Sequence, residues 1–137
     1  MTITINKTVP TFYPSLRYRD APNAIAWLVK AFDFKEHLVV PGPDGTVAHA
    51  ELSFGNGVFM LGSAPAGPGP ADATEPAMDR EGIYAYVEDV DGHHARALAA
   101  GAEVSRALED TEYGARMYTV RDIEGNPWTF GNYSVAL

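Results

Sequence analysis

Few side chains in this sequence have the types and spacing for chemistry. His49 and Glu51 stand two apart in the alternating stretch Ala48-His-Ala-Glu-Leu52. On a strand, residues i and i+2 share a face. The imidazole and the carboxylate would therefore point the same way. Such a pair could bind a metal ion, act as a general base with its orienting acid, or form a structural hydrogen bond. A structural or ligand-binding role ranks ahead of a catalytic one. His93 and His94 are adjacent within a helical pattern and would diverge, and His37 stands alone on a strand. There is no cysteine, hence no thiolate nucleophile, thiolate metal site or disulfide framework. Ser15, Ser53, Ser63 and Ser105 lack a nucleophile setting. The Gly- and Pro-containing stretches 40–45 and 65–70 lack the Gly-Lys-Ser/Thr of a phosphate loop. The remaining candidates are tyrosines and arginines, and strands must position them.

The stretch Tyr113 to Asn132 reads as a hairpin. Arg116 to Arg121 alternates, Asp122-Ile-Glu-Gly-Asn126 is a turn with Gly125 and Asn126 able to take positive φ, and Pro127-Trp-Thr-Phe130 begins the return strand. Ala48 to Gly62 copies this layout. Leu61 and Phe130, Phe59 and Trp128, and Phe54 and Ile123 each lie 69 positions apart. The same offset carries Asp20 onto Asp89, and each opens a helical pattern. The chain reads as one module written twice.

Phe12 to Arg19 is a predicted strand. Asp20 is a predicted N-cap, with Pro22 in the first turn of a helix over 21–32. Strands follow at 34–40, 46–54 and 58–62, with a turn at 41–45. The second module repeats the series. A strand spans 82–88, and a helix capped by Asp89 stops at Gly101. A strand spans 102–108, and the hairpin closes the module. Module one is set at 11–62 and module two at 81–132. Residues 63–80, rich in Pro, Gly and Ala, form a linker, with a binding-site lid as the lesser alternative.

The chain has 137 residues, 46% of them hydrophobic, enough for one compact domain. Its net charge of −8 argues against a nucleic-acid binder, which needs a basic face. No apolar run is long enough to span a bilayer, and the first residues lack a secretory h-region. The expectation is a cytoplasmic protein without nucleic-acid or membrane partners.

Strand parity sorts the side chains into two faces. Leu16, Ala50, Leu52, Phe59, Leu61, Ala85, Val87, Trp128 and Phe130 fit a face buried under the helices. Tyr13, Ser15, Arg17, Val47, His49, Glu51, Met60, Tyr84, Tyr86, Arg116, Tyr118 and Thr129 fall on the other. Tyrosines with a few charges do not make a plain solvent face. They fit the aromatic wall and sparse polar anchors of a small-molecule cleft. Arg116 could hold a carboxylate or pair with a nearby acid such as Glu112.

The paired modules resemble the vicinal oxygen chelate superfamily, which includes glyoxalase I, extradiol dioxygenases, fosfomycin-resistance enzymes and bleomycin-resistance proteins. The resemblance rests on Arg17-Tyr-Arg-Asp-Ala-Pro-Asn-Ala-Ile25, His49-Ala-Glu-Leu52, Tyr86-Val-Glu-Asp-Val-Asp91, and Tyr113 to Asp122 followed by Gly125-Asn-Pro-Trp128. These look like its PhnB-like branch. The resemblance implies an α+β fold of two tandem β-α-β-β-β modules whose curved mixed sheets surround a cleft, and a homodimer. Metal-dependent members take ligands from the first and fourth strands of each module. Those positions fall on Tyr13, Met60, Gly82 and Thr129, which offer no set of hard donors. The expectation is therefore no metal, no cofactor and no catalytic residue. The site would be ligand-binding, made of Tyr13, Arg17, His49, Glu51, Met60, Tyr84, Tyr86, Arg116, Tyr118 and Thr129. The alternative is a lyase, isomerase or dioxygenase of the same superfamily with a non-standard site at His49 and Glu51. A third reading is an interaction module whose tyrosine-rich face packs on a partner.

Overall fold

The computed structural model describes residues 9–65 and 82–135. Most of the expected linker therefore lies outside the described residues. The first module runs β1 (Ser15–Tyr18), α1 (Ala21–Phe32), β2 (Lys35–Pro41), β3 (Val47–Phe54) and β4 (Gly57–Ser63). The second runs β5 (Ile83–Tyr86), α2 (Val90–Ala99), β6 (Glu103–Asp110), β7 (Arg116–Arg121) and β8 (Pro127–Gly131). Each module makes its own four-stranded sheet, ordered β1-β4-β3-β2 and β5-β8-β7-β6. In each, the first strand pairs parallel with the fourth and the other pairings are antiparallel. This is the expected β-α-β-β-β series twice over. No helix among the described residues is long and apolar enough to cross a membrane.

Local chemistry sets the helix ends. The Asp20 side chain accepts from the Asn23 amide, and Asp89 accepts from the Gly92 amide, so each satisfies an amide that the helix start leaves unpaired. Gly101 follows α2 at φ 85°, the left-handed conformation that a glycine takes after a helix. Leu28 and Ala97, 69 positions apart, are both fully buried under their sheets.

The helix-facing sides of the two sheets share one core. Phe32 and Phe34 at the end of α1 touch Trp128 and Phe130 of β8, and Trp128 touches Phe59 of β4. All nine residues assigned to the helix-facing side lie in this core or pack against it. Two polar seams lock the modules together. The Tyr18 hydroxyl donates to Asp122 Oδ2 at 2.6 Å, and Trp128 Nε1 donates to the same oxygen at 3.0 Å. Glu124 accepts from the Arg19 and Asp20 amides at the entry to α1. In the turn itself Gly125 takes the positive φ, 88°, while Asn126 hydrogen-bonds Asp122 through amide and side chain.

The two hairpins differ by one residue. Ser15 pairs with Met60 and Tyr84 with Thr129, so β1 and β4 map onto β5 and β8 at the 69 offset. Ala50 pairs with Leu61, yet Tyr118, not Thr119, pairs with Phe130. β3 thus maps onto β7 at an offset of 68, because three residues stand between Asp122 and Asn126 where two stand between Phe54 and Gly57. A slip of one residue on a strand exchanges its faces, and the consequence falls on the candidate site.

Candidate functional site

On the open face of the first sheet, His49 and Glu51 do point the same way. His49 Nε2 lies 2.9 Å from Glu51 Oε2, and His37 Nε2 lies 3.9 Å from Glu51 Oε1. Met60 is half-buried between its cross-strand neighbours Ser15 and Glu51. Arg17 is exposed and pairs across the strand with Gly62. Tyr13, just before β1, is 39% exposed. Leu38 and Val40 of β2 add exposed apolar surface.

On the second sheet, Tyr84 and Tyr86 are exposed on β5. The Tyr84 hydroxyl donates to the Tyr133 carbonyl at 2.6 Å, and burial raises its pKa. Thr129 and Thr119 share a hydrogen bond of 2.8 Å across β8 and β7.

Arg116 and Tyr118 are not on this face. Because β7 maps at 68, its helix-facing alternates are Arg116, Tyr118 and Val120, and Met117, Thr119 and Arg121 take the open side. Arg116 reaches Asp91 on α2 at 2.8 Å and Asp110 at 3.0 Å; these acids, rather than Glu112, are its partners, and their hydrogen bonds raise its pKa. Tyr118 is fully buried. Its hydroxyl lies 2.7 Å from His93 Nδ1, while His93 Nε2 lies 2.9 Å from the Phe32 carbonyl. A carbonyl only accepts, so Nε2 carries the hydrogen and Nδ1 accepts from the tyrosine. Burial lowers the His93 pKa and raises that of Tyr118. His93, one of the two adjacent helix histidines, is a core residue. Val47, also assigned to the open face, is buried beside the register shift between Val40 and Pro41.

The expected residues also do not converge within one chain. Since the helix-facing sides share the core, the open faces belong to separate outer surfaces. No hydrogen bond or ring contact joins His49 or Glu51 to Tyr84 or Tyr86. Tyr84 and Tyr86 instead border a cavity of about 520 Å³ between the sheets, walled by Phe12, Pro14, Phe34, Phe59 and Trp128. It has no carboxylate, imidazole or cationic side chain in its wall. Sequence reasoning missed this cavity, because it lies where two sheet edges meet rather than on one strand face.

The residues present do not fit a metal ion of the family kind. Met60 and Thr129 pair with Ser15 and Tyr84 rather than with the expected Tyr13 and Gly82, so the donors where the first and fourth strands meet are three hydroxyls and a thioether, none of them the imidazole or carboxylate that such ions take. Among the described residues no group of three His, Asp or Glu side chains is placed to hold an ion.

Comparison with known proteins agrees with this architecture. The model of the Glyoxalase/Bleomycin resistance protein/Dioxygenase superfamily matches residues 5–130. An uncharacterized protein of Mycobacterium bovis is 40% identical over 125 residues, 89% of this chain and 82% of its own length. The crystal structure of TioX from Micromonospora sp. ML1 superposes with a TM-score of 0.70 at 34% identity, covering 93% of this chain and 99% of TioX. The fosfomycin resistance protein FosX from Listeria monocytogenes, solved with Mn(II) and sulfate, gives a TM-score of 0.67 at 13% identity over 92% and 93% of the two chains, a likeness of fold. The chain belongs to the glyoxalase/bleomycin resistance protein/dioxygenase superfamily.

Proposed function

We propose that this superfamily member binds a small organic molecule on the open faces of its sheets, without a metal ion, as a homodimer. The observation that carries the reading is the side-chain set of those faces. The positions where the first and fourth strands meet lack imidazole and carboxylate donors, while aromatic, thioether and hydroxyl groups stand beside one hydrogen-bonded His–Glu pair. That is a binding composition. The dimer is supported by exposure: Tyr13 just before β1 with Leu38 and Val40 on the first sheet, and Tyr84 and Tyr86 on the second, leave large apolar side chains uncovered. A second copy that laid its second sheet against the first sheet of its partner would cover both sets and enclose a cleft. The place within the superfamily is the PhnB-like branch, on the motifs that suggested it.

A second reading is an enzyme in which His49 is a general base oriented by Glu51. The 2.9 Å contact favours it, since such pairs need hydrogen-bond reach. Thermal shifts against a ligand panel, with and without divalent metals, separate the two. A ligand that binds only the folded state raises its melting temperature. Stabilisation by an organic ligand is expected to persist in chelator, with none from Zn²⁺, Ni²⁺, Mn²⁺ or Fe²⁺ alone. About one metal ion per chain by elemental analysis, lost in His49→Ala, would replace this reading with the enzyme.

A further inference from the structure

We propose that the open face of the first sheet is an anion seat, in which Arg17, lying over Gly62 with His49 beyond it, holds the carboxylate of a planar, otherwise apolar ligand. The proposal rests on the open-face binding above and names its ligand class.

Register builds the seat. Arg17 pairs with Gly62 on β4. One step beyond the Ala50–Leu61 pair, Gly62 stands opposite His49 on β3, and His49 pairs with Val40 on β2. Arg17 and His49 thus face the same side, two strand spacings or about 9.5 Å apart at the backbone. Only a hydrogen separates them at Gly62. A Cβ there would collide with the Arg17 guanidinium and stand 3.0 Å from the Ala48 carbonyl. Gly62 has no positive φ, so the glycine serves room rather than conformation. The guanidinium lies over Gly62, and Arg17 remains exposed.

Charge makes the guanidinium available. Arg96, Arg106, Arg116 and Arg121 each sit in an ion pair. Arg17 has neither an ion pair nor a hydrogen bond among the described residues. Glu51 engages the imidazoles of His49 and His37 and not Arg17. With Nε2 donating to Glu51, His49 keeps Nδ1 only as an acceptor, so Arg17 alone meets the carboxylate. In a chain of net charge −8, an arginine unpaired among the described residues and lying beside a cleared floor suits a carboxylate, whose two oxygens match its planar fork. Met60, Leu38 and Val40 around it suit an apolar body. The equivalent row of the second sheet, Tyr86, Gly131 and Met117, has no cation, so the seat belongs to the first sheet alone.

The test titrates the full chain with 1-naphthoate, 1-naphthylmethanol and 1-naphthylmethylammonium, by calorimetry and by amide shifts. The naphthoate should bind at least about tenfold more tightly than the alcohol, as expected for a charge-assisted contact near the surface, and shift Gly62 and His49. Arg17→Met should erase that preference with an unchanged melting temperature, Arg17→Lys should keep part of it, and Gly62→Ala should weaken it by displacing the guanidinium. Equal binding of alcohol and naphthoate on this face, or tighter binding of the ammonium, would overturn the seat and leave open-face binding standing. Naphthoate shifts confined to the cavity between the sheets would overturn the seat as well. Failure of all three probes to shift either face would remove the open-face reading and the seat with it.

Discussion

Replacing Asp122 with alanine tests how the two modules are held together. The carboxylate is 5% exposed and accepts from the Tyr18 hydroxyl, Trp128 Nε1, the Asn126 side chain, and the Glu124 and Asn126 amides. The donors of the half-buried turn can turn to water. Tyr18 and Trp128, at 0% and 2% exposure, cannot. Each orphaned buried donor costs about 1–3 kcal/mol, so Asp122→Ala should lose about 2–6 kcal/mol. A domain of this size is stable by about 5–15 kcal/mol, so the variant should still fold. With a urea slope of about 2 kcal/mol/M, its unfolding midpoint should fall by about 1–3 M. Tyr18→Phe removes one donor and leaves the carboxylate its others, for about 1 kcal/mol. In the double variant the orphaned hydroxyl is gone, so the combined loss should be smaller than the sum of the two. Urea denaturation of all four proteins, followed by tryptophan fluorescence, measures this cycle. A loss below about 1 kcal/mol in Asp122→Ala, or strict additivity in the cycle, would refute the bridge.

Acid should weaken the fold through His93. Its folded pKa is depressed by burial and, to a lesser degree, by Arg96, against the raising effects of the Phe32 carbonyl and Asp33. The unfolded chain therefore binds the proton first, and stability falls as pH drops below about 6.5 until the folded state also titrates. Urea midpoints of wild type and His93→Gln between pH 8 and 5 should differ in slope below that point, with the steeper loss in wild type. Leu28→Ala, at a fully buried site, should cost about 2–5 kcal/mol by the same denaturation.

The fold was legible because its signals are local. Asp20-Ala-Pro and the spacing of Ile25, Leu28 and Phe32 place a helix over 21–32, and α1 spans those residues. Asp89 and Gly101 bound α2 for the same reason. Helix-facing strand residues were legible because apolar alternates recur within each strand. The open faces were legible where a strand's own alternation decided, as at Arg17, His49, Glu51, Met60, Tyr84 and Thr129. β7 offers no such contrast. Met117, Thr119 and Arg121 alternate with Arg116, Tyr118 and Val120, and both sets mix polar with apolar groups. Its parity had to be borrowed from β3 through a single offset, and the extra residue of the turn 122–126 reversed the result.

That reversal bears on which groups can act on a ligand. Perturbed ionisation often marks an active site, and here Tyr18, His93 and Tyr118 are perturbed through burial. Each has its polar atoms bonded within the core, and two of these bonds cross between modules: Tyr18 to Asp122, and His93 to the Phe32 carbonyl. A hydroxyl or imidazole whose hydrogen bonds are all made inside the protein has none left to give. Their perturbation is the physical signature of a polar seam between two packed modules. Groups with bonding capacity to spare lie outside the core, among them the Arg17 guanidinium as a donor and His49 Nδ1 as an acceptor. In the proposed reading the ligand is met on the outer faces of the sheets, and the buried titratable groups keep those faces in place.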